Sequence, residues 1–147
     1  MLTDLLRRLT APEPEPILDT DARLALTALL VRIARADGDY AEEEKVRIDR
    51  TTAARYGLSS IEASHLRAEA EALELEAPDT VRFTRAIKEA VPYEERMGVI
   101  EALWSVVLAD GKRDEEEDAL LRMVAPMLGV TDQDSAMARR RVEANGA

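Results

Sequence analysis

The sequence predicts an all-α fold, a single compact bundle of about seven to eight helices, on three observations. Ala, Leu, Glu and Arg dominate the chain and no stretch alternates apolar and polar residues as a strand would, which favours helix nearly everywhere. Gly, Pro and Ser/Thr punctuation divides the apolar periodicity into helix-sized pieces. One acidic phrase occurs twice, Ala36-Asp37-Gly38 with Glu44 and Ala109-Asp110-Gly111 with Glu117. The Asp-to-Glu interval is seven residues each time and the copies lie 73 residues apart, so the chain reads as a duplicated unit.

Residues 1–19 form an N-terminal arm. Met1 to Leu9 suits a short amphipathic helix, and Pro12, Pro14 and Pro16 then keep the chain extended. The bundle occupies 20–147, with one repeat over about 20–90 and a second over about 91–147. The first helix starts at Thr20 or Asp21, turns Leu26, Leu29, Leu30 and Ile33 inward, and stops at Gly38. A second runs from about Ala41 to Tyr56, with Val46 and Ile48 inward, and ends at Gly57. Ser59 and Glu62 have capping-box spacing for a third, about Ser60 to Glu76. Pro78 suits the first turn of a fourth, through Phe83, Ile87 and Ala90.

Pro92 then opens a helix carrying Ile100, Leu103, Trp104, Val107 and Leu108, stopped at Asp110-Gly111. Asp114 and Glu117 offer a capping box for the next helix, which buries Leu120, Leu121, Val124 and Leu128 before Gly129. Thr131 and Asp134 start the last. A helix pair cannot bury its apolar stripe alone, so the two repeats are expected to share one core under a pseudo-twofold relation.

Composition excludes several classes of function. The chain has no cysteine, which removes disulfides, thiolate metal sites and thiol chemistry. Thirty acidic residues against 20 basic give a net charge of −10, so nucleic acid is not an expected partner and a cation or a basic protein is. No long apolar run suits a signal peptide or an integral membrane segment; the expected location is cytoplasmic. No nucleophile-and-base pair is visible, and His65 is the only histidine, so no enzymatic activity is expected. Trp104, Met123 and Met127 read as core. Arg139, Arg140 and Arg141 read as a solvated helix face.

The acidic phrase supports two readings. Calcium, magnesium and manganese select oxygen donors, and a tight loop followed by a helix start presents several together. Asp37, Gly38 and Glu44 fit the end of an EF-hand loop, but its two earlier ligand positions fall on Ile33 and Arg35, and in the second copy on Val106 and Leu108. An ordinary EF-hand is therefore rejected. The candidate ligands are Asp37, Glu44, Asp110 and Glu117, with Asp39, Glu43, Asp114 and Glu116 as secondary candidates. The other reading is structural: Gly38 and Gly111 as helix stops, Asp39 and Asp114 as N-caps, and the glutamates in first turns where the helix dipole favours negative charge.

The runs Ile33-Ala34-Arg35-Ala36-Asp37-Gly38 through Glu44, and Val107-Leu108-Ala109-Asp110-Gly111 through Glu117, each followed by a glycine stop, resemble the TerB-type tellurite-resistance family over roughly Ala22 to Ala144. The resemblance implies an all-helical, cytoplasmic stress-response component with a divalent-metal site and, for some members, peripheral membrane association. A related helical domain occurs in DnaJ-like co-chaperones, which implies a protein partner. Without thiols or a redox-cofactor motif, any contribution to tellurite resistance would be indirect. The alternative function is a metal-free acidic helical adaptor.

Overall fold

The computed structural model describes residues 19–36, 38–76, 80–109 and 115–145, and of 19–21, 115 and 116 the backbone only. Seven α-helices and one 3₁₀ turn, with no strand, make up these residues: α1 (Asp19–Ala34), α2 (Glu42–Tyr56), α3 (Ser60–Glu76), α4 (Thr80–Ala90), the turn Tyr93–Glu95, α5 (Arg96–Val107), α6 (Glu115–Met127) and α7 (Asp132–Ala144). Residues 1–18 of the N-terminal arm lie outside the described residues, as do Pro78 and Asp114, and Asp19 belongs to α1 rather than to the arm. Pro92 caps the 3₁₀ turn rather than α5 itself, which begins at Arg96.

The helix stops follow the glycines. Gly38, Gly57 and Gly129 all adopt positive φ, 82°, 66° and 79°, a backbone region that a side chain makes unfavourable. At the third helix the reciprocal capping box is complete: Ser59 N–H donates to Glu62 Oε1 at 2.9 Å and Glu62 N–H donates to Ser59 Oγ at 3.1 Å. Thr131 Oγ1 likewise accepts from Asp134 N–H at 3.1 Å at the start of α7.

The core is organised around α1, which contacts α2, α3, α4, α5 and α6. With neighbours on nearly every side it buries Leu24 through Val31 in an unbroken run, together with Ile33 and Ala34, rather than a single stripe. In this helix the buried hydroxyl of Thr27 donates from Oγ1 back to Arg23 O at 2.7 Å. Its arginines run outward over rings and carboxylates: Arg23 lies over Tyr56, and Arg32 lies over Phe83 while donating to Glu74 Oε2 at 3.1 Å. The second central helix, α5, buries Val99, Ile100, Leu103, Trp104, Val106 and Val107 and contacts α1, α2, α6 and α7. Trp104 Nε1 donates to buried Ser135 Oγ at 3.1 Å, which satisfies the indole inside the core.

Arg96 ties three helix ends together. From the start of α5 its guanidinium donates to Lys88 O and Val91 O near the end of α4 and to Leu128 O beyond α6. These carbonyls sit where a helix has no partner of its own, and a cation there also suits the dipole.

Two side chains expected in the core lie at the surface. Val46 is 43% exposed and Met123 51%. In α2 the inward stripe is Glu44, Ile48 and Thr52, and position 46 is two residues from 48, about 200° around the helix, so both cannot face inward. In α6 the inward set is Leu121, Val124 and Ala125, continued by Leu128 just after the helix, which leaves Met123 on the far side and Leu120 half-buried.

Candidate functional site

The duplicated phrase occupies the α1–α2 and α5–α6 connections and the first turns of α2 and α6. Asp37, Asp110, Asp114 and the side chain of Glu116 lie outside the described residues. Asp39 and Glu43 are exposed. Glu44 and Glu117 are not: they retain only 1% and 2% of their accessible surface.

Helical period explains why these two glutamates point inward. Glu44 precedes Ile48 and Thr52 by one and two turns on one face of α2, and Glu117 precedes Leu121 and Ala125 identically in α6; all six are buried. Each carboxylate is therefore the first step of a stripe that continues into the core. Glu44 also performs a local task. Its Oε1 accepts from Ala41 N–H at 3.1 Å, the glutamate half of a capping box whose other half is missing because alanine has no side-chain acceptor.

Capping does not require burial, as α3 demonstrates. Glu62 accepts from Ser59 in the same manner and stays exposed; that hydrogen bond holds its carboxyl below the ordinary carboxylate range. A carboxylate withdrawn from water, by contrast, must be compensated by polar or cationic neighbours. Sequence reasoning missed one such residue. Asp118, directly after Glu117, retains 8% of its surface, whereas the matching residue of the first copy is Lys45. The run of acids at 114–118 was legible, but burial at position 118 is a tertiary property.

Around the first loop the polar neighbours are partly visible. Tyr40 lies beneath Arg35 at 5.1 Å and Lys45 at 4.9 Å, and burial together with the Glu71 carboxylate pushes its hydroxyl well above the ordinary 10.0. Arg67 binds Asp49 Oδ1 at 2.7 Å and Glu71 Oε2 at 3.0 Å, which clamps α2 to α3 beneath the loop. Among the described residues no group of three or more Asp, Glu, His or Cys side chains is gathered as a metal site. A cation bound here would need Asp37 or Asp110 to complete the oxygen set offered by Glu44 or Glu117, and one oxygen of Glu44 is already engaged by the Ala41 amide.

His65 is exposed on α3, consistent with a solvated side chain. The basic run on α7 is not one solvated face. Arg139 packs over the Trp104 ring at 5.7 Å and pairs with Glu143, Arg140 is exposed, and Arg141 reaches Glu101 at 3.3 Å.

Fold and sequence together define a class: a small all-α bundle in which an Asp-Gly phrase precedes a glutamate-rich helix start, twice in one chain. Residues 23–140 match the family model described as Tellurite resistance protein TerB, and the chain belongs to that family. No curated protein and no solved structure gives a significant match. Among the described residues no helix is long and apolar enough to cross a membrane.

Proposed function

We propose that this protein is a non-enzymatic member of the tellurite-resistance family that binds a divalent cation through Asp37, Glu44, Asp110 and Glu117 and uses the occupied loops to support a protein contact. The observation that carries this reading is the burial of Glu44 and Glu117 at matching places in the two copies, against the exposure of Glu62, which caps its helix as Glu44 does without being buried. Oxygen donors, absence of cysteine and a single exposed histidine favour calcium, magnesium or manganese over zinc or copper. The pairing of α1 with α2 and α3, and of α2 with α3, is matched by that of α5 with α6 and α7, and of α6 with α7. The contacts of α1 with α6 and of α2 with α5 interchange under the same correspondence. These pairings support a duplication with pseudo-twofold symmetry, which superposing 42–76 on 115–144 tests directly.

Thermal melting of the full chain against calcium, magnesium and manganese tests the cation. At about 100 times Kd the expected rise in Tm is roughly 5–10 °C. The variant Glu44→Gln/Glu117→Gln, which keeps an acceptor oxygen at each position, should fold and lose the rise. A wild-type Tm that does not move at millimolar concentrations of any of the three ions rejects the reading.

The second reading is a metal-free adaptor whose acidic surface docks a basic protein. The net charge of −10 favours it. It predicts a partner that co-purifies at low salt, leaves at high salt and is indifferent to chelator.

A further inference from the structure

We propose that a cleft on the opposite chemical footing, between α2, α5 and α7, binds a small phosphorylated molecule. The cleft has a volume of about 650 Å³, within the usual range for small-molecule sites, and is open to solvent. One wall is a stripe of α2 at one-turn intervals, Arg47, Thr51 and Arg55. The facing wall is a stripe of α5 with small side chains, Gly98, Ala102 and Ser105. Arg141 of α7 closes the rim, held by Glu101 at 3.3 Å.

Three features make this a place for an anion. Arg47 and Arg55 pair with no carboxylate among the described residues; Arg50 on the same helix shares that state, so what marks the first two is that both line one cleft, Arg55 also lying over the Tyr56 ring at 5.9 Å. Gly98 leaves room for this arrangement, since a Cβ there would lie 3.3 Å from Arg55 Nη1. At the floor, Thr51 Oγ1 and Ser105 Oγ lie 3.4 Å apart. Ser105 donates its proton to Ala102 O at 2.7 Å, so the Thr51 proton is the one left to serve Ser105 or an incoming oxygen. Two guanidinium forks and a hydroxyl are donors suited to a phosphoryl group, which guanidinium binds through paired N–H bonds.

The rest of the molecule narrows the ligand. A net charge of −10 repels an extended polyanion such as nucleic acid or an anionic membrane, while a small anion inside the cleft feels chiefly the nearby arginines. No aromatic side chain lines the cleft, so a stacking base has no platform and an aliphatic or sugar phosphate fits better. This site shares no residue with the acidic loops, and its test stands apart from theirs.

Calorimetric titration of the full chain with inorganic pyrophosphate and with glycerol 3-phosphate, at constant ionic strength, tests the proposal. One saturable site is expected, with affinity falling about tenfold in Arg47→Gln and again in Arg55→Gln. Arg50→Gln, an exposed arginine of α2 outside the cleft, should bind as the parent does. The absence of saturable binding of both probes by the folded parent chain overturns the proposal, and so does an equal loss in Arg47→Gln and Arg50→Gln.

Discussion

The two copies of the acidic phrase carry the same charge in different places. Residues 37–45 hold five carboxylates and one lysine, residues 110–118 hold six carboxylates with Lys112 and Arg113, and both come to −4. In the first copy the base lies on the helix as Lys45, beside Glu44; in the second the bases precede the helix in sequence, and the helix carries Asp118 beside Glu117. What both keep is the inward glutamate and the two residues one and two turns behind it. The stripe into the core is thus what the two copies share, while the neighbouring charge differs in placement and not in sum.

Exchanging the differing residues breaks that comparison most sharply. Asp118 is buried, so Asp118→Lys places an ammonium where a carboxylate was accommodated, and a loss of about 3 kcal/mol in a denaturant titration is expected. The reciprocal Lys45→Asp removes a half-exposed side chain whose ion pair with Glu42 spans 3.9 Å, and its expected loss is about 0.5 kcal/mol. Equal losses from the two exchanges would mean that burial at 118 contributes nothing to the difference between the copies.

Glu44 separates shape from charge. Glu44→Ala leaves the Ala41 amide without its acceptor and opens a gap beside Ile48, with an expected loss of about 2 kcal/mol. Glu44→Gln keeps an oxygen in place and should retain most of that stability while weakening any response to cations. If Gln destabilises as much as Ala, the negative charge, rather than the hydrogen bond, holds the start of α2.

The fold was legible because its stops and starts are chemical. Gly38, Gly57 and Gly129 marked turns that require positive φ, and Ser59 with Glu62 and Thr131 with Asp134 marked helix starts that the structure reproduces bond for bond. Faces were less legible than boundaries. Val46 and Met123 are apolar, which suggests the interior, yet the period set by Ile48 and by Leu121 and Val124 points them outward. The run at Arg139 to Arg141 looked uniform because adjacency in sequence says nothing about direction around a helix, where neighbours diverge by about 100°. The arginine cleft was invisible for a related reason: Arg47, Arg55 and Arg141 meet only when α2, α5 and α7 converge.

Glu62 gives the smallest and cleanest measure of what capping alone contributes. Its folded carboxyl lies below its ordinary value of 4.5 because the Ser59 backbone amide, and then the Ser59 hydroxyl, stabilise the anion. A depressed folded pKa means that the unfolded chain binds the proton first as pH falls. The contribution is therefore fully present above the unfolded value and is lost as pH drops below about 4.5 through the folded one. Urea midpoints measured from neutral to acidic pH should fall less steeply below that point in Glu62→Gln than in the parent. Ser59→Ala should reproduce part of the flattening, since it removes the hydroxyl but keeps the backbone amide. Because Glu62 is exposed, desolvation is the weakest influence on its carboxyl, and it acts in the opposite direction. An acid slope unchanged in both variants would show that the α3 cap has no electrostatic part, and the burial of Glu44 would then be its only difference from a cap that acts by geometry.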